Sequence, residues 1–370
     1  MSADILQPYM LTESIKLRNR LVMAPMTTWS SQPDGQVSLE ELDYYRHRSV
    51  GVGMVVTGTT YASPNGMGFD RQFYGGDDLY TPSLGRLAQA IHMGGAKAVL
   101  QVFHAGRMSK SSLLGGNQIE SASAIPANRP GAETPRALEE GEIYNILDAF
   151  YEVTKRAIKA GFDGVEIHGA NTYLIQQFFS PHSNRRDDYW GGDLERRMRF
   201  PIGVLSSIKR AIMDTDTKNF IIGYRLSPEE IEEPGIRLED TLKFVDILAS
   251  QGLTYLSLSL NSYDQTSVVN KGDRVALGSQ IMDVVSGRVP VMGVGSVTEL
   301  DKAQEARGMG YDMVALGKSI VMNPDWVKRA KAGREIRQTI KESDRQKLYI
   351  PEGLMNKIVS NEGWFPLVKS

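Results

Sequence analysis

The chain has 370 residues, of which 42 are lysine or arginine and 44 are aspartate or glutamate, so its formal net charge is -2. Such a balanced charge offers no electrostatic footprint for nucleic acid or for an anionic membrane surface. The absence of cysteine excludes disulfides, zinc–thiolate sites, iron–sulfur clusters and cysteine nucleophiles.

The N-terminal sequence shows no basic stretch followed by an apolar core, so we expect no secretory signal. No apolar run approaches the roughly 18 residues needed to span a bilayer. With cysteine absent, these features favour a cytoplasmic protein that has neither a membrane nor a nucleic-acid partner. We also predict no metal site.

Eight short apolar runs alternate with helical patterns along the chain. Continuously apolar runs of this kind are typical of strands that are buried on both faces of a parallel sheet. The runs are Leu21–Pro25, Met54–Thr57, Ala98–Phe103, Gly164–His168, Phe220–Arg225, Tyr255–Leu260, Pro290–Gly293 and Met313–Leu316. The alternation predicts an α/β protein, a (β/α)8 barrel that forms a single domain over residues 1–370.

Apolar residues between the runs recur at helical spacing. The clearest helix is predicted over 142–160, where Ile143, Ile146, Phe150 and Val153 share one face.

Two segments do not follow the repeat. Residues 105–138 come after the third strand and are rich in glycine, serine, alanine and proline. In a barrel they would lie at the carboxyl rim, where active sites form, so we predict a lid or capping hairpin. Residues 333–370 are predicted to be a packed C-terminal helical extension, with a contact between copies of the chain as the alternative.

Three polar side chains follow the fourth predicted strand, within GFDGVEIHGANTY. His168 and Asn171 each carry an N–H donor, and two donors that converge on one oxygen would polarise a carbonyl group. Tyr173 carries a phenol, whose ordinary pKa of about 10 suits it to donate a proton. The alternative is a satisfied core histidine and tyrosine, but three polar groups at the carboxyl end of a strand favour a functional site.

Two further polar residues belong to predicted strands. Gln101 interrupts the apolar run VLQVF, and an amide there needs hydrogen-bond partners. The N–H donor and the carbonyl acceptor of this amide suit the edge of a heterocycle such as a flavin pyrimidine. The alternative is that the amide only links neighbouring strands. Arg225 ends the fifth strand as a permanent cation that could stabilise a developing anion or pair with a loop carboxylate.

Glycine-rich turns follow the seventh and eighth predicted strands, in PVMGVGSVT and MVALGKS. Loops at these two places often form a phosphate site in (β/α)8 barrels. Gly293, Gly295 and Ser296 would present backbone N–H groups, Gly317 would open a helix, and Lys318 would add positive charge.

The first predicted strand runs into Pro25, Met26 and Thr27. The proline and methionine could wall a flat ring, and the Thr27 hydroxyl could hydrogen-bond to the edge of that ring. Simple packing of the first strand is the alternative.

These motifs follow one another in a characteristic order. They read NRLVMAPMT, QVFHAGR, GFDGVEIHGANTY continuing to DLERRMRFP, GYRLSPEE, VMGVGS and ALGKS. In this order, over about residues 8 to 333, the chain resembles the Old Yellow Enzyme family. The resemblance implies a (β/α)8 barrel that binds FMN tightly but non-covalently. It also implies hydride transfer from NADH or NADPH to activated alkenes such as enones.

The resemblance assigns roles to individual residues. The isoalloxazine ring would be contacted by Pro25, Met26, Thr27, Gly58, Gln101 and Arg225. The phosphate would be held by Gly295, Ser296, Gly317 and Lys318. His168 and Asn171 match the pair that binds the substrate carbonyl, and Tyr173 matches the proton donor.

Four positions depart from the family pattern. Thr27 stands where one branch has cysteine, so the thiol that tunes the flavin is missing. Asn171 replaces histidine, as in one subset of the family, and Trp190 replaces the tyrosine that usually precedes the Gly-Gly pair. Lys318 replaces the usual arginine, and because lysine lacks a planar fork we expect weaker phosphate binding.

We therefore expect an FMN-dependent oxidoreductase that transfers hydride from NAD(P)H to a small carbonyl-activated alkene. The alternatives are an oxidative demethylase or NADH oxidase on the same flavin barrel, a flavin-binding protein without turnover, and a cofactor-free lyase or isomerase. The sequence leaves open the physiological substrate, the choice between NADH and NADPH, and whether the chain forms a homo-oligomer.

Overall fold

The computed structural model describes residues 4–368. Eight strands form its centre, and each overlaps a predicted apolar run. They are β1 (Leu21–Met23), β2 (Met54–Tyr61), β3 (Lys97–Phe103), β4 (Gly164–Gly169), β5 (Ile221–Leu226), β6 (Tyr255–Leu258), β7 (Val291–Val294) and β8 (Met313–Leu316). Almost every residue in them is buried, which explains why the runs are apolar throughout instead of alternating.

The eight strands are parallel and close into a barrel. Each pairs with its neighbour in chain order, and β1 pairs with both β2 and β8 through Val22, which faces Met54 on one side and Ala315 on the other. The predicted (β/α)8 barrel is thereby confirmed. Because the strands are parallel, all their carboxyl ends meet at one rim.

Helices cover the outside of the barrel. They are α1 (Leu39–Arg48), α2 (Thr81–Met93), α3 (Glu140–Lys159), α4 (Leu174–Phe179), α5 (Leu194–Asp214), α6 (Leu238–Ala249), α7 (Leu277–Val285), α8 (Leu300–Gly308), α9 (Lys318–Met322), α10 (Trp326–Lys331) and α11 (Glu352–Ser360). Helix α3 begins two residues before its predicted start because Glu139 and Glu142 form a capping box there. Its predicted apolar face, including Phe150, packs into the core.

A separate apolar cluster fills the amino-terminal part of the barrel interior. It includes Val22, Met54, Val99, Ile221 and Met313. A short antiparallel hairpin, Tyr9–Met10 paired with Lys16–Leu17, adds Leu11 and Leu17 to the same cluster. The hairpin therefore closes the amino end of the barrel interior.

Residues 105–138 contain two 3-10 turns, Gly106–Met108 and Ser111–Leu114. They also contain a short strand pair, in which Glu120–Ser121 lies beside Arg136–Ala137. The two strands are parallel, so the expectation of a hairpin is wrong. Both turns stand directly after β3, close to the carboxyl rim.

The segment from residue 333 to residue 368 contains a 3-10 turn and helix α11, and its end returns to the rim. Leu367 pairs with Ile340, and Phe365 is buried. Trp364 packs edge-on against Trp29, with 6.0 Å between the ring centroids. Residues 369–370 of the predicted extension lie outside the described residues.

Two features are absent from residues 4–368. None of their helices is both long and apolar enough to cross a membrane. They also contain no group of three or more His, Cys, Asp or Glu side chains arranged to hold a metal ion.

Gly293 in β7 packs against Tyr311, where an added Cβ would lie 2.8 Å from ring atoms. We predict that Gly293→Ala lowers the free energy of unfolding by about 1–3 kcal/mol, the usual cost of overpacking, because the buried ring must move. Urea unfolding measures this loss. Gly141→Ala is the matched control, since no atom lies within 4 Å of the Cβ it would add. Equal stability of the Gly293 variant and the wild type would contradict the packing role.

Candidate active site

A cavity of about 520 Å³ lies at the carboxyl rim of the barrel. Most of the residues predicted to hold a cofactor line it, namely Pro25, Met26, Arg225, Gly295, Ser296, Gly317 and Lys318. These residues follow or end β1, β5, β7 and β8, which barrel closure brings together. Three of the residues predicted to contact a flat ring therefore share one cavity with four of those predicted to hold a phosphate.

Four other residues predicted to bind the cofactor, Gly58, Gly293, Thr27 and Gln101, do not line this cavity. Gly58 lies at a bulge in β2, where its N–H donates to the Tyr45 hydroxyl (2.7 Å) and an added Cβ would lie 2.7 Å from the carbonyl oxygen of Met26. Gly58 and Gly293 therefore have packing reasons to be glycine. Thr27 is half-buried beside Met26. Gln101, the fourth, lies deeper, inside the barrel.

The turn after β7 requires glycine at position 295. Gly295 has a φ of +107°, and a Cβ added there would lie 2.6 Å from the carbonyl carbon of Asn261. The next residue, Ser296, also has a positive φ of +54°, and its hydroxyl donates to the carbonyl oxygen of Asn261 (3.0 Å). The turn is therefore held tightly against the loop that follows β6.

Lys318 stands on the wall of the cavity, directly after Gly317. Its side chain is exposed, and its Nζ lies 5.9 Å from the centroid of the Phe365 ring. It forms no ion pair with a carboxylate of the described residues. A cation in this position suits an anionic group such as phosphate.

His168 is buried at the end of β4, edge-on to the rings of Phe103 and Tyr173. Burial, reinforced by the charge of Arg225, lowers the pKa of His168 to about 3, so the imidazole is neutral at physiological pH. Its Nδ1 accepts a hydrogen bond from the N–H of Ala170 (3.4 Å), which leaves the proton on Nε2. His168 is therefore a neutral hydrogen-bond donor.

Asn171 lies in the loop after β4 with a φ of +56°, a conformation that asparagine tolerates better than most residues. Its backbone N–H donates to the Ser227 hydroxyl (3.0 Å), and its side-chain carbonyl accepts from the Ser259 hydroxyl (2.7 Å). Because the carbonyl end of the amide is engaged, the Nδ2 amino group is the end left for a ligand. Asn171 is therefore a second neutral donor.

Tyr173 packs its ring against Phe103 and His168, with centroid distances of 4.5 Å and 5.0 Å. Burial raises the pKa of Tyr173 to about 12, so the phenol keeps its proton. The residue also lines a second cavity of about 650 Å³, together with Trp29 and with Met108 of the segment that follows β3. Tyr173 thus lies beside a space large enough for a small molecule.

Arg225 is the penultimate residue of β5 and is largely buried. Its Nη2 donates to the Ser259 hydroxyl (3.1 Å), and its Nε is buried without a partner among the described residues. Because Ser259 also donates to Asn171, one hydroxyl connects the cation to the donor pair. The unpartnered Nε–H is a group that a hydrogen-bonding ligand would satisfy.

Sequence reasoning missed several residues of the site. Ser259 connects Arg225 to Asn171, while Leu260, Asn261 and Trp364 line the first cavity. The first three directly follow β6, so the barrel prediction alone places them at the functional rim. Trp364 carries no such signal, because its position depends on how the C-terminal segment folds back.

Known proteins that are similar to this chain identify its family. Residues 4–337 match the NADH:flavin oxidoreductase / NADH oxidase family. A probable NADH-dependent flavin oxidoreductase from Bacillus subtilis (strain 168) is 41% identical over 98% of this chain and 97% of its own length.

Two further relatives are much longer than this chain. An NADH:fumarate oxidoreductase from Klebsiella pneumoniae (strain 342) is 43% identical over 95% of the chain. An NADH:acrylate oxidoreductase from Vibrio harveyi is 44% identical over 89% of the chain. The chain spans only 38% and 33% of their respective lengths.

Solved structures show the same fold. Morphinone reductase matches with a TM-score of 0.78 and 25% identity, over 100% of this chain and 97% of its own. An Old Yellow Enzyme homologue from Zymomonas mobilis matches with a TM-score of 0.80 and 25% identity, over 96% of this chain and 99% of its own.

The residues present fit the cofactor that the family implies. The first cavity offers the unpartnered Nε–H of Arg225 at one place, and the tight turn at Gly295 and the cation of Lys318 at another. The expected cofactors, FMN and a nicotinamide hydride donor, are confirmed by the family match. The chain belongs to the NADH:flavin oxidoreductase / NADH oxidase family.

Proposed function

We propose that this protein reduces a carbon–carbon double bond conjugated to a carbonyl group. The observation that carries the proposal is the pair of neutral donors, His168 Nε2–H and Asn171 Nδ2–H, in the loop and strand end that also carry Tyr173. FMN, when bound, supplies the chemistry that accepts hydride from NAD(P)H and passes it to the alkene.

The donor pair stabilises the charge that develops in the reaction. When hydride adds to the β-carbon, negative charge accumulates on the carbonyl oxygen, and hydrogen bonds from His168 and Asn171 offset it. Because the pKa of His168 is about 3, the histidine donates as a neutral group throughout the physiological pH range.

Tyr173 supplies the proton for the α-carbon. Its raised pKa of about 12 keeps the phenol protonated until the enolate forms. The positive charges of Arg129 and Arg225 oppose that rise in the pKa, so they also stabilise the phenolate that remains after transfer.

The cofactor residues divide into two sets in this proposal. The isoalloxazine ring is contacted by Pro25, Met26, Thr27, Gln101 and Arg225. The phosphate is held by Gly295, Ser296, Gly317 and Lys318. Gly58 and Gly293 act by packing behind these residues.

The names of two relatives agree with an alkene acceptor. Fumarate and acrylate both carry a double bond conjugated to a carboxyl group, although this chain corresponds to only about a third of either protein. The donor pair also favours an alkene over the amine of an oxidative demethylation, because an amine has no carbonyl oxygen to bind.

Lys318→Met should weaken FMN binding by about 1.5–3 kcal/mol, the scale of a hydrogen bond to a charged group. The reason is that the substitution keeps most of the volume of the side chain and removes its charge. Titration of apoprotein with FMN, followed by flavin fluorescence, measures the affinity. Lys331→Met removes an exposed charge from α10 and should leave the affinity unchanged. Wild-type affinity in the Lys318 variant would show that Lys318 faces solvent.

A para-substituted phenol should bind next to the oxidised flavin and produce a long-wavelength charge-transfer band, because a phenolate resembles an enolate. His168→Ala and Asn171→Ala should each weaken this binding by about tenfold or more while FMN stays bound. Absorbance titration measures both effects. His92→Ala, at a histidine that pairs with Asp163 away from the rim, is the control. Unchanged phenol affinity in both variants would place the carbonyl site elsewhere.

Tyr173→Phe removes one oxygen and should separate the two half-reactions, which stopped-flow absorbance times individually. Flavin reduction by NAD(P)H needs no proton from Tyr173, so its rate should stay near that of the wild type. Reoxidation by cyclohexenone should slow by about 10²–10⁴, the usual contribution of a positioned general acid. Reoxidation by oxygen should be spared. Cyclohexenone reduction at the wild-type rate would show that another group supplies the proton.

A further inference from the structure

A polar layer lies inside the barrel, beneath the level of the donor residues. Strand register places Gln101 of β3 beside Glu166 of β4, Glu166 beside Gly223 of β5, and Gly223 beside Tyr255 of β6. The three side chains of this layer are buried. None of the roles assigned to the predicted site residues explains why the carboxylate of Glu166 is buried in the barrel interior.

Glu166 is the centre of this layer. Its Oε1 accepts a hydrogen bond from Gln101 Nε2 (2.7 Å), and its Oε2 accepts one from the Tyr255 hydroxyl (2.8 Å). Gly223 makes the second bond possible, because a Cβ there would lie 2.2 Å from the Tyr255 ring. With a donor on each oxygen, the arrangement suits the ionised carboxylate.

The next interior level contains the residues of the site. His168 and Arg225 lie two positions beyond Glu166 and Gly223, toward the carboxyl rim, and face each other in the register. Burial raises the pKa of Glu166, whereas the charge of Arg225 and the two hydrogen bonds oppose that rise. Glu166 is therefore a buried carboxyl group one interior level below the cation of the site, and the two groups interact electrostatically.

The bond from Glu166 also decides how the Gln101 amide is turned. A carboxylate can only accept hydrogen bonds, so it holds the NH₂ end of the amide. The carbonyl oxygen of Gln101 accepts no hydrogen bond from the described residues. If the amide were turned over, its carbonyl oxygen would lie against the carboxylate oxygen, and two acceptors would face each other without a hydrogen bond.

We propose that Glu166 is a positioning residue for the flavin. It orients the Gln101 carbonyl as the acceptor for the pyrimidine N–H, and it offsets the charge of Arg225. The inference rests on the proposed placement of FMN in the first cavity, and it names a residue that acts through two others and touches neither substrate nor cofactor.

The experiment measures the midpoint potential and the affinity of bound FMN in Glu166→Gln. The variant removes the negative charge and leaves Arg225 less opposed, so the electron-rich reduced flavin is favoured. We expect the equilibrium constant for two-electron reduction to rise about tenfold, equivalent to about 30 mV toward positive potential. FMN affinity should fall, because the amide at position 166 no longer fixes the amide of Gln101.

Glu230→Gln is the matched control. Glu230 is also buried and also accepts a hydrogen bond from a glutamine, Gln176 Nε2, at 2.7 Å, but it lies in the loop after β5, outside the barrel interior. A similar loss of stability with an unchanged flavin potential is expected there. An equal shift of the potential in both variants would overturn the proposal.

The double variant Glu166→Gln, Gln101→Glu exchanges the two side chains and keeps both the hydrogen bond and the net charge. It replaces the single variant if Glu166→Gln does not fold. It should restore folding but not the wild-type potential or FMN affinity. Wild-type values for both would show that the pair is only structural. These readouts use dye-coupled reduction without an alkene. A protein that shows the expected shift but reduces no enone would therefore refute the proposed function alone.

Discussion

Closure of the barrel between β1 and β8 is the constraint on which the site depends. Strand β1 has only three residues, yet it pairs on both sides, so no edge remains and the register of the whole ring is fixed. A slip of one residue in any strand would turn its interior side chains outward. Residues as distant in sequence as Met26 and Lys318 share a cavity because this ring leaves only one arrangement of the carboxyl ends.

The barrel interior changes in character from one end to the other. Its amino-terminal part is apolar and is plugged by Leu11 and Leu17, so it excludes water. Toward the carboxyl rim the interior becomes polar, first at Glu166 and then at His168 and Arg225. Buried groups of this kind are costly unless they are paired, and their partners come from neighbouring strands in the same register. The polar groups nearest the rim keep unused hydrogen-bonding capacity, which is the condition for binding a ligand there.

The strands and the main helices could be predicted because their signals are local. A parallel barrel strand is buried on both faces and reads as a continuous apolar run, as Met313–Leu316 does. The pairing within residues 105–138 has no local signal, since two strands of two residues each depend on contacts made elsewhere. The place of Trp364 at the rim depends likewise on the path of the C-terminal segment.

In the site, too, residues with a local sequence signal could be predicted, and contacts between strands could not. His168, Asn171 and Tyr173 could be predicted because they cluster directly after one strand. Glu166 lies in the same motif and carries a signal of its own, because a carboxylate in the middle of an apolar strand must have a partner. That partner could not be named, because Gln101 and Tyr255 belong to other strands and only the register brings them together.

The proposed donor Asn171 and the cation Arg225 are not independent of each other. Ser259 accepts a hydrogen bond from Arg225 and donates one to Asn171, so a single hydroxyl after β6 sets the direction of both side chains. If Ser259 were absent, the Asn171 amide could turn its carbonyl outward, and an acceptor would then replace the proposed donor. The loop after β6, which contains no predicted catalytic residue, therefore controls whether the residues that follow β4 can act as donors.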